Sequence, residues 1–198
     1  MRILSRRELL VGTALWLASP AFVSAQSPAP AAVPGEAVLE TDQGEIVIRL
    51  LPEVAPSHVR LFRNTAKIGN FNGTIFHRII AGGIIQGGDP TTKDPGKAAL
   101  YGTGGLGLLK AEFSDRPFVR GTVAAARQPS SKDSGGTQFF ICLRDQPSLK
   151  GQYTVFGEVI SGIEVADKIA TTPVDGDKPT VRVAIKKVTL RDASPPPP

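Results

Sequence analysis

The sequence predicts a mainly β domain, an antiparallel barrel or sandwich with helices packed at its ends. The first observation is a series of short segments in which apolar and polar residues alternate, separated by polar or glycine-rich turns. The second is that two segments have helical periodicity and lie far apart in the chain. The third is that strands and helices do not alternate regularly, which argues against a doubly wound parallel sheet.

The first strand pair is a β-hairpin over residues 38–50. Its turn is predicted at Asp42-Gln43-Gly44, residue types that favour tight turns. Ile46, Ile48 and Leu50 are spaced two residues apart, so they share one face of the second strand. Further strands are predicted over residues 74–80, 84–86, 122–126, 138–143 and 153–159, and at the alternating Val181, Val183 and Ile185.

Two helices are predicted. Residues 55–68 have apolar side chains at helical spacing, with Pro56 in the first turn and Gly69 at the end. The second helix runs to about Ala170, and Ser161-Gly162-Ile163-Glu164 at its start matches a capping box.

Residues 1–25 are organised as a cleavable secretion signal. Three arginines and a glutamate precede an apolar run of about ten residues, which is too short to span a bilayer. Val23-Ser24-Ala25 supplies the small residues that signal peptidase requires, so we expect cleavage after Ala25. Residues 5–10, SRRELL, also match a twin-arginine export signal, although ordinary signals carry adjacent arginines too. We therefore expect a periplasmic or secreted protein.

The rest of the chain divides into three parts. Residues 26–35 are a Pro/Ala-rich linker, residues 36–192 have the length of one domain, and residues 193–198 are a disordered proline tail. We expect no stable membrane insertion, because the domain contains no second long apolar segment. We also expect a monomer, because no long amphipathic stripe is left to pair with another copy.

Charge and side-chain chemistry argue against several classes of protein. The signal carries net charge +2, so about +3 of the formal +5 remains, too little and too dispersed to indicate nucleic-acid binding. His58 and His77 have no further histidine or cysteine at metal-ligand spacing, so no metal is expected. Cys142 lies in an apolar run and is expected to be a packed thiol. Residues 102–107 match G-x-G-x-x-G without the flanking strand and helix, so we expect a flexible surface loop there.

Residues 76–89 form a strand, a turn and a second strand. Alternation places Phe76, Arg78 and Ile80 on one face, and His77 and Ile79 on the other. The same spacing puts Ile84 with Gln86, and Gln138 with Phe140. One arginine, two amides and several apolar groups could therefore line a single groove.

Four segments resemble, in order, the motifs of the cyclophilin family. Residues 76–89, FHRIIAGGIIQGGD, are similar to the signature F-H-R-[IV]-I-x-G-F-M-x-Q-G-G-D. The other three are GTVAAAR at residues 121–127, GGTQFFI at residues 135–141 and YTVFGEV at residues 153–159. The resemblance covers nearly all of residues 38–191.

The resemblance implies a closed eight-stranded antiparallel β-barrel capped by two α-helices, and peptidyl-prolyl cis-trans isomerase activity. By motif position, Arg78 corresponds to the catalytic arginine. The substrate groove corresponds to Gln86, Ile84, Ala126, Phe140, Leu149 and Tyr153, with Arg127 and Gln138 at its rim. The implied substrates are proline-containing polypeptides, and neither a cofactor nor a metal is required.

These residue types suit the isomerisation of an X-Pro bond. Resonance gives the peptide bond a rotation barrier of about 18–20 kcal/mol. A guanidinium that donates to the prolyl nitrogen weakens this resonance, while an apolar pocket holds the proline ring. A proline-peptide binding or chaperone module with weak catalysis is the alternative.

Two positions depart from the family pattern. Gly83 replaces the phenylalanine of the signature, which walls the proline pocket in the family, and Ser148 replaces the usual aromatic of the inhibitor-contacting loop. Losing an aromatic wall could forfeit about 1.5–3 kcal/mol of apolar burial. These differences bear on the catalytic rate, and they imply weak binding of cyclosporin A.

Overall fold

The structure is a computed structural model that describes residues 35–192. This part of the chain is mainly β, as the sequence predicts. Its strands are β1 (Gly35–Thr41), β2 (Gly44–Leu50), β3 (Thr74–Ile75), β4 (Arg78–Ile80), β5 (Ile84–Gly87), β6 (Thr122–Ala125), β7 (Phe139–Cys142), β8 (Val155–Ser161), β9 (Val174–Asp175), β10 (Lys178–Pro179) and β11 (Ala184–Asp192). Its helices are α1 (Pro56–Lys67), α2 (Ile163–Ala170) and the 3-10 segments Pro90–Lys93, Pro95–Leu100 and Pro147–Leu149.

Within residues 35–192, nine strands form one curled antiparallel sheet in the order β3-β11-β1-β2-β8-β6-β7-β5-β4. Strands β9 and β10 form a separate hairpin. The expected closed barrel of eight strands is not confirmed, because the single strand predicted over residues 74–80 is two strands at the two edges of the sheet. Between them, Phe76 N donates to Val183 O and His77 N donates to Gln86 O, both at 3.0 Å. The chain therefore changes its pairing partner at Phe76 and His77.

The predicted first hairpin is confirmed. Thr41 pairs with Gly44, so the turn consists of Asp42 and Gln43. Ile46, Ile48 and Leu50 are buried together in the core, as their spacing predicts. Strand β1 begins at Gly35, which the sequence assigned to the linker but which pairs with β2 and β11.

Strands β5, β6 and β7 separate two apolar clusters. Ile85, Val123, Ala125, Phe139 and Ile141 point into the main core. Their neighbours in sequence form a second cluster on the other face of the sheet, whose members on these strands are Ile84, Ala124, Phe140 and Cys142. Because side chains alternate along a strand, one short stretch builds both the core and an outer apolar surface.

Helix α1 has the predicted extent, but a distant side chain completes its N-terminus. Its N-cap residue, Ala55, provides no side-chain hydrogen bond. Instead, the Glu112 carboxylate accepts from the backbone N–H groups of Ser57 and His58, both at 3.0 Å, and lies 2.6 Å from His58 Nδ1. Burial alone raises the pKa of Glu112, but these hydrogen bonds outweigh burial and the pKa is lowered.

Helix α2 does not begin with the predicted capping box. Ser161 is the last residue of β8, and the N-cap is Gly162 in a left-handed conformation (φ 82°) without a side-chain cap. A Cβ at Gly162 would collide with the backbone carbonyl oxygen of Glu45. Close approach of the helix start to β2 therefore selects glycine there.

The end of the domain departs from the predicted alternation. Val183 and Ile185 are buried, but Val181 precedes β11 and is 59% exposed. No helix within residues 35–192 combines the length and the apolar character needed to span a bilayer. The predicted signal, residues 26–34 of the linker and the proline tail lie outside the described residues.

We expect Gly162→Ala to destabilise the domain far more than Gly73→Ala. Both glycines have nearly the same left-handed φ, 82° and 80°, but a Cβ at Gly73 meets nothing within 4 Å. Both variants therefore lose about 1–2 kcal/mol from backbone strain. Gly162→Ala should lose roughly 1–3 kcal/mol more, because the clash forces the backbone to move. Urea unfolding of both variants measures the difference, and equal losses would contradict the steric argument.

Candidate active site

A groove of about 1060 Å³ lies beside β4 and β5. Eight of the nine predicted site residues line it: Arg78, Ile84, Gln86, Ala126, Arg127, Phe140, Leu149 and Tyr153. They come from strands β4, β5 and β7 and from segments that flank β6, β7 and β8. The curled sheet thus brings together residues that are up to 75 positions apart in the chain.

Arg78 is placed by two neighbours. It pairs in register with Gln86 across β4 and β5, and its Nη1 lies 3.5 Å from Gln86 Oε1, a long hydrogen bond. Its Nε donates to Asp177 Oδ2 at 2.6 Å. The arginine side chain remains 41% exposed. The guanidinium is therefore held along one edge while it stays accessible from the groove.

Asp177 is a functional candidate that the sequence did not reveal. It lies in the turn between β9 and β10, and its backbone oxygen also accepts a 2.8 Å hydrogen bond from Ile79 N. The small hairpin is thus attached to β4 at two adjacent residues. No local pattern around Asp177 predicts this, since its partner lies 99 residues earlier in the chain.

Gln138 is not at the rim of the groove, as the resemblance implied. Its side chain is fully buried and lies behind Gln86. Gln86 Nε2 donates to Gln138 Oε1 at 3.0 Å, and Gln138 Nε2 donates to Gly104 O at 2.7 Å. These two hydrogen bonds fix the orientation of the Gln86 amide. Its oxygen points towards Arg78, and one of its two N–H groups is not bonded to Gln138. Gln138 and Phe140 share a face as expected, since both point away from the main core, but Phe140 lines the groove and Gln138 does not.

The apolar wall of the groove belongs to the second cluster. Phe140 is 3% exposed, and Ala126, Ile84, Leu149 and Tyr153 pack with it. The rings of Phe140 and Tyr153 meet edge to face, with centroids 5.3 Å apart. Such packing fixes the orientation of both rings.

Arg127 stands at the edge of this wall. Its guanidinium carbon lies 4.8 Å from the centre of the Tyr153 ring, and its Nε donates to Gln152 O at 2.9 Å. Arg127 Nη1 donates to Gln128 O at 3.0 Å. These contacts hold the side chain against the ring, and no carboxylate of residues 35–192 pairs with its charge.

The predicted faces of residues 76–80 are partly wrong. Phe76 is fully buried in the main core together with Ile79, whereas Arg78 and Ile80 line the groove. His77 also lines the groove, although it is 5% exposed. Alternation fails here because the chain exchanges one pairing partner for another between β3 and β4.

Burial lowers the pKa of His77. Residues 35–192 contain no cluster of side chains suited to a metal ion.

The glycine-rich segment 102–107 is tied down rather than loose. The carboxylate of Asp89 is fully buried and accepts from Gly102 N at 2.6 Å, Gly104 N at 3.3 Å and Thr91 N at 2.7 Å. A Cβ at Gly104 would collide with this carboxylate. Glycine at position 104 therefore allows the backbone to approach Asp89. This packing explains the glycine of the G-x-G-x-x-G match without a role in nucleotide binding.

Three further positions agree with the sequence. Cys142 is fully buried in the second cluster, and burial raises its pKa to about 12, so it is a packed thiol and not a nucleophile. Gly83 lines the groove without a side chain, and Ser148 is exposed in the 3-10 segment Pro147–Leu149.

Comparison with known proteins identifies the family. Residues 37–190 match the family model described as cyclophilin type peptidyl-prolyl cis-trans isomerase/CLD. This chain belongs to the cyclophilin family. The predicted resemblance is therefore confirmed over almost the whole described domain.

Named relatives support the same assignment for this cyclophilin. A probable peptidyl-prolyl cis-trans isomerase of Brucella suis is 44% identical over 163 residues, covering 77% of this chain and 83% of the relative. A peptidyl-prolyl cis-trans isomerase of Helicobacter pylori is 41% identical over 138 residues, covering 67% and 78%. A Cryptosporidium parvum cyclophilin, whose crystal structure was determined in the presence of the dipeptide Ala-Pro, has a TM-score of 0.71 at 28% identity, covering 80% of this chain and 99% of the other. The protein is an isomerase enzyme, as the sequence predicted.

Proposed function

We propose that this cyclophilin accelerates the cis-trans isomerisation of X-Pro bonds in exported polypeptides, acting as a monomer with Arg78 as its catalytic residue. The observation that carries this proposal is the half-exposed guanidinium of Arg78, held between Gln86 and Asp177 next to an apolar wall. The Cryptosporidium relative studied with Ala-Pro supports a proline-containing ligand for the groove.

Arg78 acts on the prolyl nitrogen. As the bond twists, the nitrogen loses its resonance with the carbonyl and gains a lone pair that can accept a hydrogen bond. An arginine N–H that donates to this lone pair stabilises the twisted state more than the planar one, which is the condition for catalysis. Asp177 occupies Nε of the guanidinium and Gln86 lies beside Nη1, so Nη2 and the second N–H of Nη1 are the donors left for the substrate.

Gln86 and the apolar wall hold the two ends of the bond. Phe140, Leu149 and Ile84 enclose the proline ring, while the second N–H of Gln86 donates to the acyl carbonyl of the residue before proline. The orientation of Gln86 supports this role, because its first N–H is already bonded to Gln138. No covalent bond is formed or broken, so the groove needs only to bind one geometry better than the others.

Export is proposed from residues 1–25. We expect the protein recovered outside the cytoplasm to begin at Gln26, because Val23-Ser24-Ala25 fits the cleavage site. N-terminal sequencing measures this, and an intact Met1 on the exported protein would contradict it. Replacing Arg6 and Arg7 together with lysine keeps the charge and separates the two routes, since loss of export identifies the twin-arginine route.

We expect Arg78→Ala to lower kcat/KM by about 10²–10³-fold with little change in stability, since one preorganised donor is lost and no core cavity is created. Arg78→Lys should recover little, because an ammonium lacks the planar fork. NMR exchange on a short X-Pro peptide measures the rate, and thermal unfolding checks the fold.

Arg60→Ala is the matched control, because Arg60 is exposed on helix α1 and does not line the groove. It should keep wild-type activity. A folded Arg78→Ala protein with wild-type kcat/KM would refute the arginine mechanism.

We expect Gly83→Phe to raise kcat/KM about tenfold by restoring an aromatic wall to the proline pocket. A Cβ at Gly83 would lie 3.0 Å from Ile80 Cγ2, so Ile80, which is 40% exposed, must shift slightly. Gly83→Ala adds the same Cβ without the ring and controls for this crowding. Unchanged or lower activity in Gly83→Phe, with Gly83→Ala unaffected, would show that the wall does not limit the rate.

The same isomerisation assay tests cyclosporin A. Weak inhibition of the wild type is expected, since an aromatic anchor commonly contributes about 2 kcal/mol and both Gly83 and Ser148 lack one. Nanomolar inhibition of the wild type would contradict this expectation.

A further inference from the structure

The groove continues beyond Arg78 into a part that X-Pro isomerisation does not require. We call this part the basic arm; it is lined by His77, Tyr101, Gly102, Lys178, Thr180 and Arg182. The whole groove, at about 1060 Å³, slightly exceeds the range of about 300–1,000 Å³ typical of small-molecule sites. It therefore has room for client residues beside the X-Pro pair.

Contacts make the arm continuous with the catalytic residue. Arg182 Nη1 donates to the Tyr101 hydroxyl at 3.0 Å. A Cβ at Gly102 would lie 3.7 Å from His77 Nε2, so the backbone there covers the histidine ring. Lys178 follows Asp177, the partner of Arg78, in the β9–β10 hairpin.

The two cations of the arm, Lys178 and Arg182, have no carboxylate partner within residues 35–192. The groove is lined by Arg78, Arg127, Arg144, Lys178 and Arg182, and Asp177 is the acidic residue among its described lining. Asp177 is already paired with Arg78. Both acceptors of Arg182, the Tyr101 hydroxyl and the carbonyl oxygen of Thr92 at 2.9 Å, are uncharged. Lys178 has no carboxylate partner within residues 35–192.

His77 forms a buried part of the lining of the basic arm. Its side chain is 5% exposed, both ring nitrogens are buried, and the backbone of Ile75 interacts with the ring. Buried polar groups in folded proteins are nearly always hydrogen-bonded.

We propose that the basic arm binds the side-chain carboxylate of an aspartate or glutamate close to the proline, so that acidic segments are the preferred substrates. The carboxylate accepts from the guanidinium of Arg182 and the ammonium of Lys178. The inference rests on the proposed function, because the acidic residue belongs to the same polypeptide as the X-Pro bond in the groove.

The test compares peptides that share one X-Pro bond and differ at one position. Glutamate, glutamine or lysine is placed at each position within about three residues of the proline, on both sides, because extended chain advances about 3.3 Å per residue. NMR exchange gives kcat/KM. At one or two positions glutamate should exceed glutamine by about three- to tenfold at low salt, and the ratio should fall towards one in about 0.5 M NaCl.

Charge-removing variants place the effect in the arm. Lys178→Gln and Arg182→Gln should each reduce the glutamate-to-glutamine ratio, and the double variant should abolish it. Lys187→Gln removes the same charge from β11, outside the groove, and should keep the ratio. Thermal unfolding verifies that each variant is folded.

The outcomes separate the two proposals. Equal rates on all peptides would overturn the acidic preference and leave the isomerase function in place. A preference that survives in the double variant would overturn the role of the basic arm. Absence of activity on every peptide would overturn both proposals.

Discussion

The hydrogen bonds of the buried Asp89 carboxylate are the interaction on which the Arg78 side of the groove depends. A carboxylate buried without partners costs several kcal/mol, so the backbone N–H groups of Thr91, Gly102 and Gly104 must stay in place around it. Gly104, thus fixed, presents its carbonyl to Gln138, and Gln138 orients Gln86 beside Arg78. The position of the guanidinium is thereby linked through hydrogen bonds to a charge in the interior.

Period-2 alternation predicted the parts of the site that depend on local backbone alone. Phe140 was placed in the groove from its spacing and motif, and it faces away from Phe139 and Ile141 because neighbours on one strand always do. The same rule failed at Phe76, where the chain leaves β11 and joins β5. A change of pairing partner is a non-local event, so the hydrophobic pattern carries no signal for it.

Contacts between residues far apart in the chain could not be predicted from the sequence, for the same reason. The motif match placed Gln138 in the site, but its depth follows from the loop that Asp89 holds above it. Gly162 was assigned to a capping box because nothing in the sequence reveals how closely Glu45 approaches. For Gln138 and Gly162 the sequence gives the residue type. The role of each residue follows from how closely distant parts of the chain approach it, which tertiary contacts determine.

Gln86 and Asp177 hold Arg78 from two sides, and the two interactions differ in strength. On the Gln86 side, the support ends in fully buried groups, which move little. On the other side, Asp177 is 44% exposed and belongs to a two-stranded hairpin attached to β4. Exposed ion pairs are individually weak, so this second support is the adjustable one. Lys178 lies next to Asp177 in that hairpin. If a client carboxylate binds Lys178, as proposed above, it would act on the segment that orients Arg78, and client binding would then be coupled to the position of the guanidinium.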